Sequence, residues 1–231
     1  MPAALPDLTL PDFASEIRGR APEALADTVV QALHAYYREL RRWAPRLALI
    51  GRGTLDEVLD RHFGESLAAL PLIPPRPGGE IVDVGSGAGF PGLVLAAARP
   101  GWRVTLVEAR ERKWAFLESV RRKAALDCRC LNARVGHPLP DGPLPEGLPA
   151  AFDVVTARAI RLDAATTGAL LARLTPRGRA LFWAGEADPD LPGSARAATV
   201  ARLPGSERRR IVAVRPEIPG TQVPEIESPQ T

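Results

Sequence analysis

Hydrophobic positions along the chain follow two periods, and the change between them divides it. Up to about residue 70 they recur every three to four residues, the spacing of a helix face. Leu8, Leu10, Phe13 and Ile17 share such a face in a short amphipathic lead-in within residues 1–20. Leu25, Val29, Leu33, Tyr36, Tyr37 and Leu40 mark a long helix that opens at Pro22 and closes at Trp43-Ala44-Pro45. A third stripe, Leu55 to Leu70 with His62, Phe63 and Ser66 on it, predicts a helix from about Thr54. Thr54 and Glu57 there stand at capping-box spacing. The stretch PLIPPRPGG (71–79) then breaks the pattern.

Beyond it the apolar runs shorten to strand length. Ile81–Val84, Val104–Val107, Cys128–Leu131, Phe152–Ala159 and Arg179–Trp183 read as strands. Helical segments intervene at LVLAAA, at residues 111–126 with Trp114, Phe116, Leu117 and Val120 inward, and at 162–174. Pro138–Pro149 reads as a surface loop. Ala198–Leu203 and Arg210–Val214, joined by PGSERRR, read as a terminal antiparallel hairpin. Alternating β and α segments ending in a hairpin predict a mostly parallel, Rossmann-like seven-stranded α/β sheet with helices on both faces. A dinucleotide fold would end in a second parallel half instead. The expected organisation is a helical region at 1–78, the sheet domain at 79–215, and a tail at 216–231 too poor in apolar residues to fold alone.

Composition narrows this picture modestly. A chain of 231 residues that is 45% hydrophobic can bury a substantial core. No apolar run approaches the roughly 18 residues of a membrane span, and MPAALPDLTLPDF lacks the basic and apolar regions of a signal peptide. Cys128 and Cys130 lie two apart on one strand, a poor disulfide geometry. No other Cys/His cluster completes a metal site, so free thiols in a reducing cytoplasm and no metal are expected. Net charge is +3 with a pI near 9.3, and Lys113 and Lys123 are the only lysines among 30 basic residues. That balance alone does not specify a nucleic-acid partner.

The chemistry concentrates in Glu80–Arg110, EIVDVGSGAGFPGLVLAAARPGWRVTLVEAR. Strand, glycine-rich turn, helix, strand and acid make the first half of a nucleotide-binding unit. Glycines let the turn take positive φ and let its backbone approach a ligand closely. Glu108, ending the second strand, can accept hydrogen bonds from both hydroxyls of a ribose. Gly87-x-Gly89-x-x-Gly92 also fits the dinucleotide pattern, so Asp83 decides between cofactors. A carboxylate there repels a pyrophosphate but suits the ammonium and sulfonium of S-adenosylmethionine. The cofactor expected is therefore S-adenosylmethionine.

DVGSGAGFPG, VTLVEARERKWAFLESV, LNARV and VVTARA together resemble the bacterial small-subunit rRNA guanine-N7 methyltransferase family, first named for glucose-inhibited division (protein B). The resemblance spans about Trp43 to Gly185. It implies a methyltransferase of the cytoplasm acting on 16S ribosomal RNA or the small ribosomal subunit. Candidate cofactor contacts are Asp83, Gly85, Gly87, Gly89, Phe90, Glu108, Ala109 and Arg110. Val135 and Gly136 join them, in the loop expected over the adenine. Arg158, matching the arginine of the family's Ser-Arg-Ala, is the candidate catalytic residue and a candidate cofactor contact; a surface arginine is the alternative. His62 falls in a segment like the family's Arg-His-x-x-x-Ser-Leu and is either functional or a satisfied helix-face histidine. Arg110, Arg112, Lys113, Arg121, Arg122 and Lys123 form the densest basic stretch, either an RNA-phosphate patch or a solvated face.

Two departures matter. Gly136 stands where relatives carry an acid, and Ala184-Gly185 where they carry Lys-Gly. They motivate two other readings: an RNA-binding or ribosome-assembly factor without turnover, and a methyltransferase with a different substrate. Guanine N7 carries no proton, so its methylation needs no general base. The sequence agrees, showing no Ser/His/Asp set and no amine-methylating Asn-Pro-Pro motif.

Overall fold

The computed structural model of the protein describes residues 5–136 and 144–216, so the expected tail and part of the 138–149 loop lie outside the described residues. Seven strands form one sheet: β1 (Glu80–Val84), β2 (Arg103–Val107), β3 (Cys128–Leu131), β4 (Phe152–Arg158), β5 (Leu174–Ala184), β6 (Ala195–Arg202) and β7 (Arg210–Pro216). Their spatial order is β3-β2-β1-β4-β5-β7-β6. β1 to β5 pair in parallel, whereas β7 pairs antiparallel with both β5 and β6. The hairpin thus returns its second strand to the sheet and leaves the first at the edge. The order reverses between β1 and β4, which is where open sheets of this kind open a crevice at their carboxyl ends.

Strand alternation assigns the two faces. Ile81, Val104, Leu106, Val154 and Leu181 pack under α2 (Asp27–Trp43), α4 (Gly92–Ala98) and α5 (Glu111–Lys123), with α1 (Leu10–Arg18) against α2. Val82, Val84, Val155 and Phe182 face the other way, toward Leu170 and Leu171 of a later helix, Ala164–Leu171. The N-terminal helices share one buried cluster with the sheet. Within it the rings of Phe13, Tyr36, Phe63 and Phe90 pack edge-on or tilted, with centroids 5.1–5.8 Å apart. Arg99, buried after α4, ties this layer down. Its guanidinium grips both oxygens of Glu23, at 2.5 and 3.0 Å, and donates to the carbonyls of Leu70 and Ile73.

The helical region corrects the pattern reading at two places. α2 begins at Asp27, not Pro22: residues 21–26 are not helical, and Glu23 within them meets Arg99. The expected helix from Thr54 to Leu70 is instead a 3₁₀ turn (Arg52–Thr54), a π-helical stretch (Val58–Gly64), α3 (Glu65–Leu67) and a second 3₁₀ turn (Leu70–Leu72). The capping box does not form: Thr54 Oγ1 donates to the Gly51 carbonyl and meets His62, while Glu57 pairs with Arg61. The wider π turn shifts the stripe, so Glu65 enters the interior. The helix before β5 runs only Ala164–Leu171, and β5 starts five residues earlier than its apolar run.

Candidate functional site

The carboxyl ends of β1, β2 and β4 open into a cavity of about 440 Å³. Its floor is the β1–α4 loop, Gly85 to Phe90. Gly85 has φ +68, a conformation that favours glycine, and a Cβ there would sit 2.7 Å from Ile160 Cδ1 and displace that side chain. The Ser86 amide donates to the Val107 carbonyl and the Gly89 amide to Ser86, which folds the loop back over β2.

Glu108 stands at the wall. It is buried, its Oε2 accepts from the Gly87 amide and its Oε1 from the Arg110 amide, each at 2.8 Å, and the Asn132 side chain donates to its carbonyl. One hydrogen bond on each carboxylate oxygen leaves lone pairs for a diol. Ala109, Arg110, Ala133 and Val135 continue this wall.

Asp83 is placed differently from the sequence expectation. It shares the helix-covered face with Ile81, is 1% exposed, and does not line the cavity. Its Oδ1 accepts from Thr156 at 2.6 Å, and its Oδ2 has no hydrogen-bond partner. A Cβ on Gly92 would approach Oδ2 to 2.6 Å, so Asp83 fills the space under the first turn of α4. Burial pushes its carboxyl up to about 6, against the Thr156 hydrogen bond. Gly89 and Gly136 also fall outside the lining. Gly89 lies under Leu93 and Tyr36, and Gly136 turns outward against Thr166.

On the opposite wall His62 stacks on Phe90, centroids 5.1 Å apart, with its Nε2 3.0 Å from Thr54 Oγ1. Burial, aided by Arg158 and Arg61, holds its basicity down to about 3, so it stands neutral at physiological pH. Arg158 also lines the cavity. Its Nη2 donates to Glu65 Oε2 at 2.8 Å and to the Arg61 carbonyl, while its Nη1 is buried without a partner. Glu65, 2% exposed, spends its other oxygen on Arg209 at 2.7 Å. Burial weakens the basicity of Arg158, and Glu65 offsets part of that.

The basic stretch does not lie on one face. Arg110 and Lys113 line the cavity. Arg112 is exposed outside it, and Glu118 takes Arg121 at 2.9 Å and Arg122 at 3.8 Å. Lys123 borders a separate cavity of about 470 Å³ beside Thr28 and Trp102. Helical rotation explains the split: thirteen residues of α5 carry their cations right round the axis. The contacts of Glu65, of Arg209 and of Tyr36, whose hydroxyl donates to the Ala88 carbonyl of the loop, escaped the sequence reading. For Glu65 a signal existed, since a carboxylate beside Ser66 interrupts an otherwise apolar stripe; for the other two there was none.

Residues 29–199 match the family described as rRNA small subunit methyltransferase G. The chain belongs to that family. Relatives carrying the name "Ribosomal RNA small subunit methyltransferase G" include one from Acidiphilium cryptum, 34% identical over 188 residues, covering 80% of this chain and 82% of the relative. Another, from Syntrophus aciditrophicus, is 39% identical over 137 residues, or 58% of this chain and 55% of the relative. A third, from Desulfotalea psychrophila, matches over 44% of its own length, so the chain spans about half the length of these last two. Among solved structures, the mitomycin 7-O-methyltransferase MmcR is similar with TM-score 0.53 and 16% identity, over 92% of this chain and 74% of that one. MtNAS in complex with MTA and tNA gives TM-score 0.52 and 17% identity, over 82% and 69%. The chain thus has the Rossmann-like methyltransferase fold.

Proposed function

We propose that the chain transfers a methyl group from S-adenosylmethionine to N7 of a guanine in small-subunit ribosomal RNA. The family match over residues 29–199 carries this reading. The cavity supports it, being of a size that holds a small cofactor and combining a backbone loop with a carboxylate. Glu108 offers free lone pairs to the ribose hydroxyls, Ala133 and Val135 offer an apolar wall for the adenine, and Phe90 closes the far side. Asp83 acts from beneath, bracing the turn that Gly92 begins.

When bound, S-adenosylmethionine supplies an electrophilic methyl on a sulfonium. What the chain must add is position. The guanine N7 lone pair carries no proton, so no residue has to remove one. The cavity is matched to that demand: His62 is too weak a base to take a proton near neutrality, and Glu108 is engaged by two amides. Holding the two reactants in line is a term worth about 7–11 kcal/mol in the best cases. Arg158, kept charged by Glu65, places a cation at the edge where an anionic substrate enters. On this reading the protein works in the cytoplasm, where its ribosomal substrate is.

The test is incubation with labelled S-adenosylmethionine and small subunits that lack native methylation, followed by nucleoside analysis. Label in 7-methylguanosine is the expected result. Cofactor binding without label in RNA would favour the assembly-factor reading, to which Gly136 and Ala184 point.

A further inference from the structure

Two large hydrophobic side chains stay exposed among the described residues, Leu10 and Ile160, each at 37%. An isolated exposed isoleucine is ordinary, but Ile160 is not isolated from function. It lines the cavity two residues after Arg158, and its Cδ1 lies over Gly85, 2.7 Å from where a Cβ would stand. The backbone that presents it is unusual: Ala159 holds φ +54, a left-handed conformation that non-glycine residues adopt at a cost. Nor is the segment frayed. β4 pins it on one side. On the other, Leu162 is buried and Asp163 caps the next helix by accepting from the Thr166 amide at 2.7 Å. A strained residue between two anchors therefore holds an apolar side chain out toward solvent.

The surroundings indicate what covers it. Arg110, Lys113, Arg134 and Arg158 share the lining with Glu108 as the one carboxylate among those residues. Cations around a small apolar surface complement a flat base on a polyanionic backbone, the pattern of single-stranded nucleic-acid sites. We propose that Ile160 is the seat against which the RNA base to be methylated rests, with Arg110, Lys113 and Arg134 taking neighbouring phosphates. This rests on the reading of the cavity as a methyl-transfer site. Ile160 would contribute through the face of the base, and would position the acceptor without touching a proton.

The experiment measures kcat/KM for transfer onto small ribosomal subunits, with calorimetric Kd for S-adenosylhomocysteine in parallel, for wild type, Ile160→Ala and Ile160→Phe. Taking the side chain from beneath the base predicts a drop of about tenfold or more for Ile160→Ala, with recovery in Ile160→Phe. The Kd should stay within about twofold in both, since the side chain would face the substrate and not the cofactor. Should Ile160→Ala melt early, Ile160→Val serves in its place, with a smaller loss of kcat/KM expected. Transfer unchanged in the alanine variant would overturn the seat and leave the enzyme assignment standing. A Kd that worsens in step with transfer would make Ile160 a cofactor wall and equally overturn it. Failure of wild type to transfer at all would instead remove the functional reading beneath it.

Discussion

Asp83 shows how strand alternation decides where an acid points. Its position after an apolar run suggested an acid facing the cofactor, yet alternation along β1 sends it under α4. A carboxyl raised to about 6 favours folding when neutral. Its contribution is therefore fully present below the ordinary carboxylate value and is lost as pH rises through about 6. Asp83→Asn removes that dependence while keeping an acceptor for Thr156. The stability of the variant relative to wild type should rise between pH 4 and 7 by on the order of 3 kcal/mol. Denaturant titrations across that range check it, and a difference independent of pH would refute the buried, proton-binding Asp83.

At the level of elements, α5 is the instructive case. Its composition announced a basic helix, but composition carries no phase, and helix rotation gives Arg121 and Arg122 to Glu118 while Lys113 reaches the cavity. RNA affinity should follow this division. Replacing Arg110 and Lys113 together by alanine should reduce the slope of log K against log salt by about 1.5–2. Arg121→Ala should leave the slope unchanged. Equal effects from both would restore the single patch. The same lack of phase hid the π-helical stretch at Val58–Gly64, because a three-to-four-residue stripe does not reveal one inserted position. By contrast the parallel strands and the glycine turn were legible, since each short apolar run is bounded by Gly, Pro or acid and has one plausible partner direction.

For the whole molecule, Glu65 joins what the sequence keeps apart. It links the helical region to Arg158 on β4 and to Arg209 before β7, residues 93 and 144 positions away. Pairings at such separation leave no local signature, which is why Arg209 and the Tyr36–Ala88 bond are not legible in the sequence and Glu65 shows there only as a carboxylate in an apolar stretch, without its partners. Removing the carboxylate strands two partly buried guanidiniums. Glu65→Ala should cost about 3–5 kcal/mol of unfolding free energy, with Glu65→Gln losing less. A fall of under about 1 kcal/mol would mean that solvent readily replaces the bridge. The helical layer, the central strands and the terminal hairpin all converge on the crevice that the sheet topology opens. The account stands on that crevice holding the cofactor against Glu108. Calorimetric titration of S-adenosylhomocysteine into wild type and Glu108→Ala tests this most directly. One site per chain in wild type, weakened about tenfold to a hundredfold by the substitution, is the predicted result. No binding by wild type, or equal binding by both, would contradict it.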